Sequence, residues 1–163
     1  MAQAELYAKA TEYGVKISDR LVDRGINELF GEGRATRSTD VYIINKSRYD
    51  LTLLEAPQPK ENDDGSGVWT CGALPPHVVK SGEIEMYGCQ SHGFMCGVTE
   101  AYVWYEANTP DKTINKIWWY TSNPFAGKCH GDVYFTNSPL DALIIVGGSN
   151  NNVVHIIITN KLD

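Results

Sequence analysis

From Asp40 to the C-terminus the chain breaks into short β-prone runs separated by turn clusters, and this limits the fold more than any other feature. The runs cover 41–45, 51–55, 68–71, 84–87, 99–106, 114–121, 133–136, 142–146 and 153–159. Gly, Pro, Asn and Asp gather between them at 62–67, 108–111, 122–131 and 147–152. Many short strands at this spacing form a sandwich or barrel, because each sheet needs a second layer to cover its apolar face. The pattern predicts an all-β, antiparallel β-sandwich. The run 153–158 is apolar apart from His155, which predicts a central strand buried on both faces. His155 itself is expected to be packed and hydrogen-bonded.

Residues 4–30 follow a helical period instead. Leu6, Ala10, Tyr13, Ile17, Leu21 and Leu29 fall on one face, with Val22, Ile26 and Phe30 alongside. This predicts an amphipathic helix, able to break at Gly14 or Gly25, where glycine costs about 1 kcal/mol relative to Ala. Gly31-Glu32-Gly33 ends the helix and 34–39 reads as a polar linker. The expected organisation is an N-terminal helical extension and linker over 1–39 and a β-sandwich over 40–163.

The balance of charge narrows the partners. With 20 acidic and 14 basic residues the net charge is -6, and no long basic run exists. Phosphate backbones need clustered Lys and Arg, so nucleic acid is poorly supported. No stretch reaches the roughly 18 apolar residues of a membrane-spanning helix. The first ten residues carry Glu5 and no apolar run, which predicts a protein made soluble without a signal peptide. The four cysteines, Cys71, Cys89, Cys96 and Cys129, form no C-x-x-C pair, which argues against zinc. They are read as free, partly buried thiols, with a Cys89–Cys96 bridge as the rival. His77, His92, His130 and His155 join no recognisable nucleophile or acid–base set, and no phosphate loop or metal spacing is present. The expectation is a non-enzyme with no cofactor and no metal.

The richest segment is the hairpin over 99–120. Its turn, 107–112, contains Pro110 and Asp111. Strand alternation puts Tyr102 and Trp104 on one face with Glu100 and Glu106, and Trp118 and Tyr120 on one face with Lys116. The charges mark that face as outward. Tyr102, Trp104, Trp118 and Tyr120 are therefore expected as an aromatic patch outside one sheet. Such a patch marks an interface. Three occupants compete for it: the apolar face of the N-terminal helix, a membrane or protein surface, and sugar rings. A helix lying there, released by cleavage at Arg34 or Arg37, would be a latch.

Gly93-Phe94-Met95-Cys96-Gly97-Val98-Thr99, the aromatic strand, and Ser122-Asn123-Pro124-Phe125-Ala126-Gly127 together resemble the aegerolysin family. The likeness is closest to the small components of bacterial binary insecticidal toxins. Val41-Tyr42-Ile43-Ile44-Asn45-Lys46-Ser47 and the Gly147-Gly148-Ser149 turn also fit, so the resemblance covers roughly 40–160. It implies an aegerolysin/actinoporin-like sandwich that recognises a lipid or receptor at a target-cell membrane and acts extracellularly. It implies a pore-forming, insecticidal role with a larger second toxin protein, and leaves homo-oligomers open. Phe94, Trp69 and Phe125 join the aromatic patch as membrane- or partner-binding candidates. For Phe125 an inward staple is favoured over a membrane anchor. Residues 1–39 are extra to the family core. Met95 or Cys96 stands where fungal sphingolipid binders carry an acidic residue, so their lipid specificity does not transfer. The alternatives are a carbohydrate-binding lectin and a cytolysin acting alone through its N-terminal helix.

Overall fold

A computed structural model describes residues 2–25, 37–59, 67–70, 72–92, 97–136, 139–148 and 150–162. The elements begin with α1 (Ala2–Tyr13), β1 (Lys16–Ile17), α2 (Asp19–Arg24), β2 (Ser38–Asn45), β3 (Leu51–Glu55), β4 (Val68–Trp69) and β5 (Val78–Val79). They continue with β6 (Glu83–Gln90), β7 (Val98–Ala107), β8 (Asn115–Asn123), β9 (His130–Phe135), β10 (Leu140–Gly148) and β11 (Asn151–Asn160). Sheet I runs β1-β6-β2-β11-β10, with β4 also paired to β6, and sheet II runs β5-β3-β7-β8-β9. The fold is an all-β sandwich with helices at its N-terminus. Every β run expected from the sequence is present. Sheet II is antiparallel, whereas sheet I is mixed, because β1 pairs with β6 and β11 with β2 in parallel. The expected linker is also shorter, since Ser38 and Thr39 already belong to β2.

Between the sheets, Val41, Ile43, Tyr87, Val154 and Ile156 of sheet I meet Val103, Tyr105, Ile117 and Trp119 of sheet II. Burying each such side chain is worth about 1.5–3 kcal/mol. Buried aromatics also need partners for their polar tips. The Trp119 indole donates to the Tyr87 hydroxyl at 2.8 Å, and the Tyr105 hydroxyl donates to the Pro76 carbonyl at 2.8 Å. The Cys89 thiol is buried without a disulfide, and desolvation pushes its pKa up to about 12. It is therefore an inert packing group. Cys96, its expected rival partner, lies outside the described residues.

Over the described residues 2–25 the N-terminal segment is two helices, not one. Gly14 and Gly25 take the left-handed φ values of 65° and 69°, where a side chain would be strained. Between them Lys16 and Ile17 add a strand to β6. The Ser18 Oγ caps α2 by accepting from the Leu21 amide at 3.4 Å. Leu6, Ala10 and Leu21 are buried against Tyr42, Ile44, Ile84 and Met86, with Tyr13, Val15 and Ile17 beside them. Arg20 fastens α2 by donating through Nε and Nη2 to the Glu85 carboxylate at 3.0 and 2.8 Å, and through Nη2 to the Met86 carbonyl.

This overturns one expectation. The helical segment covers the outer face of sheet I, not the aromatic patch, so no latch over Tyr102, Trp104, Trp118 and Tyr120 forms from the described helices. The physical reason lies in β2 and β11. Both are apolar on their two faces, so sheet I needs a layer on each side. His155 sits under that layer, edge-on to Tyr42 at 5.3 Å and Tyr13 at 6.3 Å. It is packed as expected, but its Nε2 is buried with no hydrogen-bond partner among the described residues.

Candidate functional site

The outer face of sheet II carries the aromatic patch. Register pairs Tyr102 with Tyr120 and Trp104 with Trp118, and the alternation that buries Val103, Tyr105, Ile117 and Trp119 turns these four outward. The structure brings them together. Tyr102 stacks on Trp104 at 5.2 Å and meets Tyr120 at 5.4 Å. Aromatic pairs at such distances hold one another in place.

The patch extends further than the hairpin. Tyr134 on β9 stacks on Trp118 at 5.7 Å, and the His130 ring meets Tyr120 edge-on at 5.9 Å. Sequence reasoning missed both, although Asp132, Tyr134 and Thr136 alternate outward just as the hairpin residues do. Tyr134 is 40% exposed and the other four rings are half-buried. Among the described residues no helix packs over them. Glu106 opposes Lys116, and Asp132 opposes Tyr120, so polar groups flank the rings. Partial desolvation, followed by the Asp132 carboxylate and the Tyr120 phenol, raises the Tyr134 pKa, so its hydroxyl remains a neutral donor.

The remaining candidates lie elsewhere. Trp69 is drawn into the packing, edge-on to Tyr87 at 5.7 Å. Phe125 lies half-buried beneath the Arg37 guanidinium, 5.7 Å from ring centre to charge. Phe94 lies outside the described residues.

The turn that carries Phe125 is pinned to sheet I. The Asn123 amide donates to the carbonyls of Ser38 and Asn150 at 2.9 Å each, and Arg37 Nη2 donates to the Phe125 carbonyl at 2.8 Å. Gly97 lies directly against this turn. A Cβ there would come within 2.3 Å of the Phe125 amide nitrogen and 2.6 Å of Pro124 Cα. The two motifs that carry the family resemblance thus touch, and only glycine fits between them.

His77, His92 and His130 are exposed while His155 is under α1, and among the described residues no three His, Cys, Asp or Glu side chains gather as a metal site. No described helix is long and apolar enough to cross a membrane.

No family model matches the sequence, and no curated protein matches it. Solved structures do. The lipid binding protein Nakanori is similar over 98% of this chain and 80% of its own, with a TM-score of 0.58 and 10% identity. RahU, solved in complex with a TRIS molecule, matches 78% of this chain and 98% of its own, with a TM-score of 0.48 and 11% identity. At such identity the likeness to Nakanori is one of fold.

Proposed function

We propose that this chain is an aegerolysin-type membrane-recognition protein whose aromatic face on sheet II engages lipid headgroups at a target-cell surface. The observation that carries the reading is the solvent-facing array of Tyr102, Trp104, Trp118, Tyr120 and Tyr134. Trp and Tyr suit a membrane interface because each offers an apolar body and a polar tip. The net charge of -6 disfavours strongly anionic lipid and favours a zwitterionic or neutral surface. The sandwich shared with a lipid-binding protein supports the same direction. On the family resemblance, the protein acts extracellularly as one component of a pore-forming, insecticidal pair, with a larger second protein completing the pore. The N-terminal segment expected at 1–39, which carries the helices and whose last residues join β2, is then an addition to a family core at 40–163, and catalysis plays no part.

The test is co-sedimentation of the full-length protein with vesicles of phosphatidylcholine, with and without sphingolipid and sterol. The double substitution Trp104→Ser, Trp118→Ser should weaken binding at least about tenfold, since each interfacial ring contributes on the order of 1 kcal/mol or more. Its melting temperature should barely move. Unchanged vesicle binding by this variant would sink the proposal. Binding that sugars inhibit, without affinity for bare lipid, would replace it with the lectin reading, which the flanking Glu106, Lys116 and Asp132 would suit. Dye release by the protein alone would point to a single-chain cytolysin. Release only on adding a second protein supports the two-component reading.

A further inference from the structure

One end of the sandwich holds an open pocket of about 400 Å³, lined by Arg37, Lys128, Cys129, Val146 and the Gly147–Gly148 turn. Its size falls in the range of small-ligand sites. Arg37 reaches it from the start of β2. One end of its guanidinium is used on the Phe125 carbonyl, while its Nε is buried with no hydrogen-bond partner among the described residues. Among the described residues neither Arg37 nor Lys128 forms an ion pair. This is unusual in a chain where 20 acidic residues outnumber 14 basic ones. The field of Arg37 also reaches the Cys129 thiol, where it works against burial and favours negative charge.

The opposite wall is bare backbone. Gly148 holds φ at 104°, and a Cβ on it would stand 2.8 Å from the Asn151 carbonyl oxygen. The turn's own backbone fills the place of that Cβ, so only glycine fits at 148, whereas the Cβ position of Gly147 meets only the Val153 carbonyl oxygen, at 3.9 Å, and leaves the main chain there open to a ligand. A half-buried guanidinium with a spare donor and an ammonium lining the same pocket, with no described carboxylate paired to either, make a site for a planar or tetrahedral oxyanion. Arg supplies a fork of donors and Lys a point charge.

We propose that this pocket binds a phosphate-type oxyanion, as a phosphomonoester or phosphodiester, through Arg37 and Lys128. The pocket adjoins the aromatic face. The His130 ring that meets Tyr120 at 5.9 Å also places its Nδ1 3.1 Å from the Lys128 carbonyl oxygen. A lipid phosphodiester and a soluble phosphate ester would both suit the site. Only the lipid source rests on the membrane reading.

The experiment uses the full-length protein and its Lys128→Gln and Arg37→Gln variants. Lys128 is exposed, so its variant keeps the fold and decides the matter if Arg37→Gln, which also loses the Phe125 tie, proves unstable. Inorganic phosphate is titrated while backbone amide NMR shifts are followed. Saturable shifts at 127–129 and 147–148 are expected, weakened about threefold by Lys128→Gln and about tenfold by Arg37→Gln. Vesicles of phosphatidylcholine are then compared with vesicles of a galactosyl diacylglycerol, which has no phosphate. Weaker binding of Lys128→Gln to the first alone, with phosphate competing, identifies a lipid headgroup. Phosphate shifts with no lipid preference identify a soluble phosphate ester. Absence of saturable shifts, together with vesicle binding that Lys128→Gln leaves unchanged, overturns the proposal. Loss of binding in the Trp104, Trp118 variant with the phosphate shifts intact separates this site from the aromatic face.

Discussion

The outer face of sheet I presents Tyr42, Ile44, Ile84 and Met86 and lies beneath α1 and α2, whereas that of sheet II presents Tyr102, Trp104, Trp118, Tyr120 and Tyr134 beneath no described helix. Both faces are apolar in area, yet only sheet I is covered from within the chain, over β6, β2 and β11, while Leu143 and Ile145 on β10 at its edge stay exposed. The difference follows from the side chains. Aliphatic surface has no polar atom to offer water, so exposure costs its full transfer free energy. Indole and phenol rings keep an N–H or O–H for solvent, stack on one another, and sit among Glu106, Lys116 and Asp132. Sheet I spends its outer face on stability. Sheet II leaves its outer face uncovered by any described helix, and this is the surface proposed above to meet a membrane.

If this contrast is right, substitutions under the helices should change stability and substitutions on the aromatic face should not. The largest effect is expected from Arg20→Met. It strands the Glu85 carboxylate, whose side chain is only 4% exposed, without its cation. Breaking a buried pair from one side costs about 3 kcal/mol. A lower urea midpoint measures it, and a loss below about 1 kcal/mol would mean that α2 hardly contributes. Next comes Leu6→Ala, at the buried face of α1. Removing a large aliphatic group from a packed site costs about 2–3 kcal/mol. Should Leu6→Ala leave urea unfolding unchanged, the helix would be an ornament on sheet I and the contrast would fail.

The sequence revealed the two faces unequally. The strands were legible because period-two alternation and turn residues are local signals. The outward aromatic set was legible because Glu106 and Lys116 label its side of the hairpin. Tyr134 carried the same label in Asp132 and Thr136, and the same logic extended to β9 finds it. The two-residue strands β1 and β5 were not legible, since a pairing that short has no period. The seat of the helices was misread for another reason. An amphipathic pattern says that an apolar face needs cover, not which surface supplies it. The stronger cue was the apolar character of 41–44 and of 153–158, interrupted only by His155, which already required cover on both sides of sheet I. The approach of Gly97 to the turn at 123–127 joins distant parts of the chain, and only the folded structure displays it.

A smaller effect sharpens the contrast from the other side. Trp118→Ala removes a half-buried ring from sheet II that no helix covers, and should change stability by less than about 1 kcal/mol while vesicle binding falls. A stability loss comparable to that of Leu6→Ala would show that the aromatic face is structural after all.

The smallest effect expected is a pH dependence confined to sheet I. His155 lies under α1 between Tyr13 and Tyr42, facing Lys9, Glu5 and Glu12 from the helix. Burial, then Lys9, lowers its pKa below the ordinary 6.5, and the two glutamates oppose this only in part. The folded protein therefore takes up a proton on this ring less readily than the unfolded chain does. Above the ordinary imidazole value the ring is neutral in both states and contributes no pH dependence. As pH falls below it, the unfolded chain is protonated first and the folded state loses stability. Thermal melts at descending pH should thus show a decline beginning near pH 6.5. His155→Phe keeps an aromatic ring against Tyr42 and Tyr13 while removing the unpartnered Nε2, so it should flatten that decline. An equal decline in the variant would assign the acid sensitivity to the carboxylates instead, and would leave the cover over sheet I indifferent to this ring's charge.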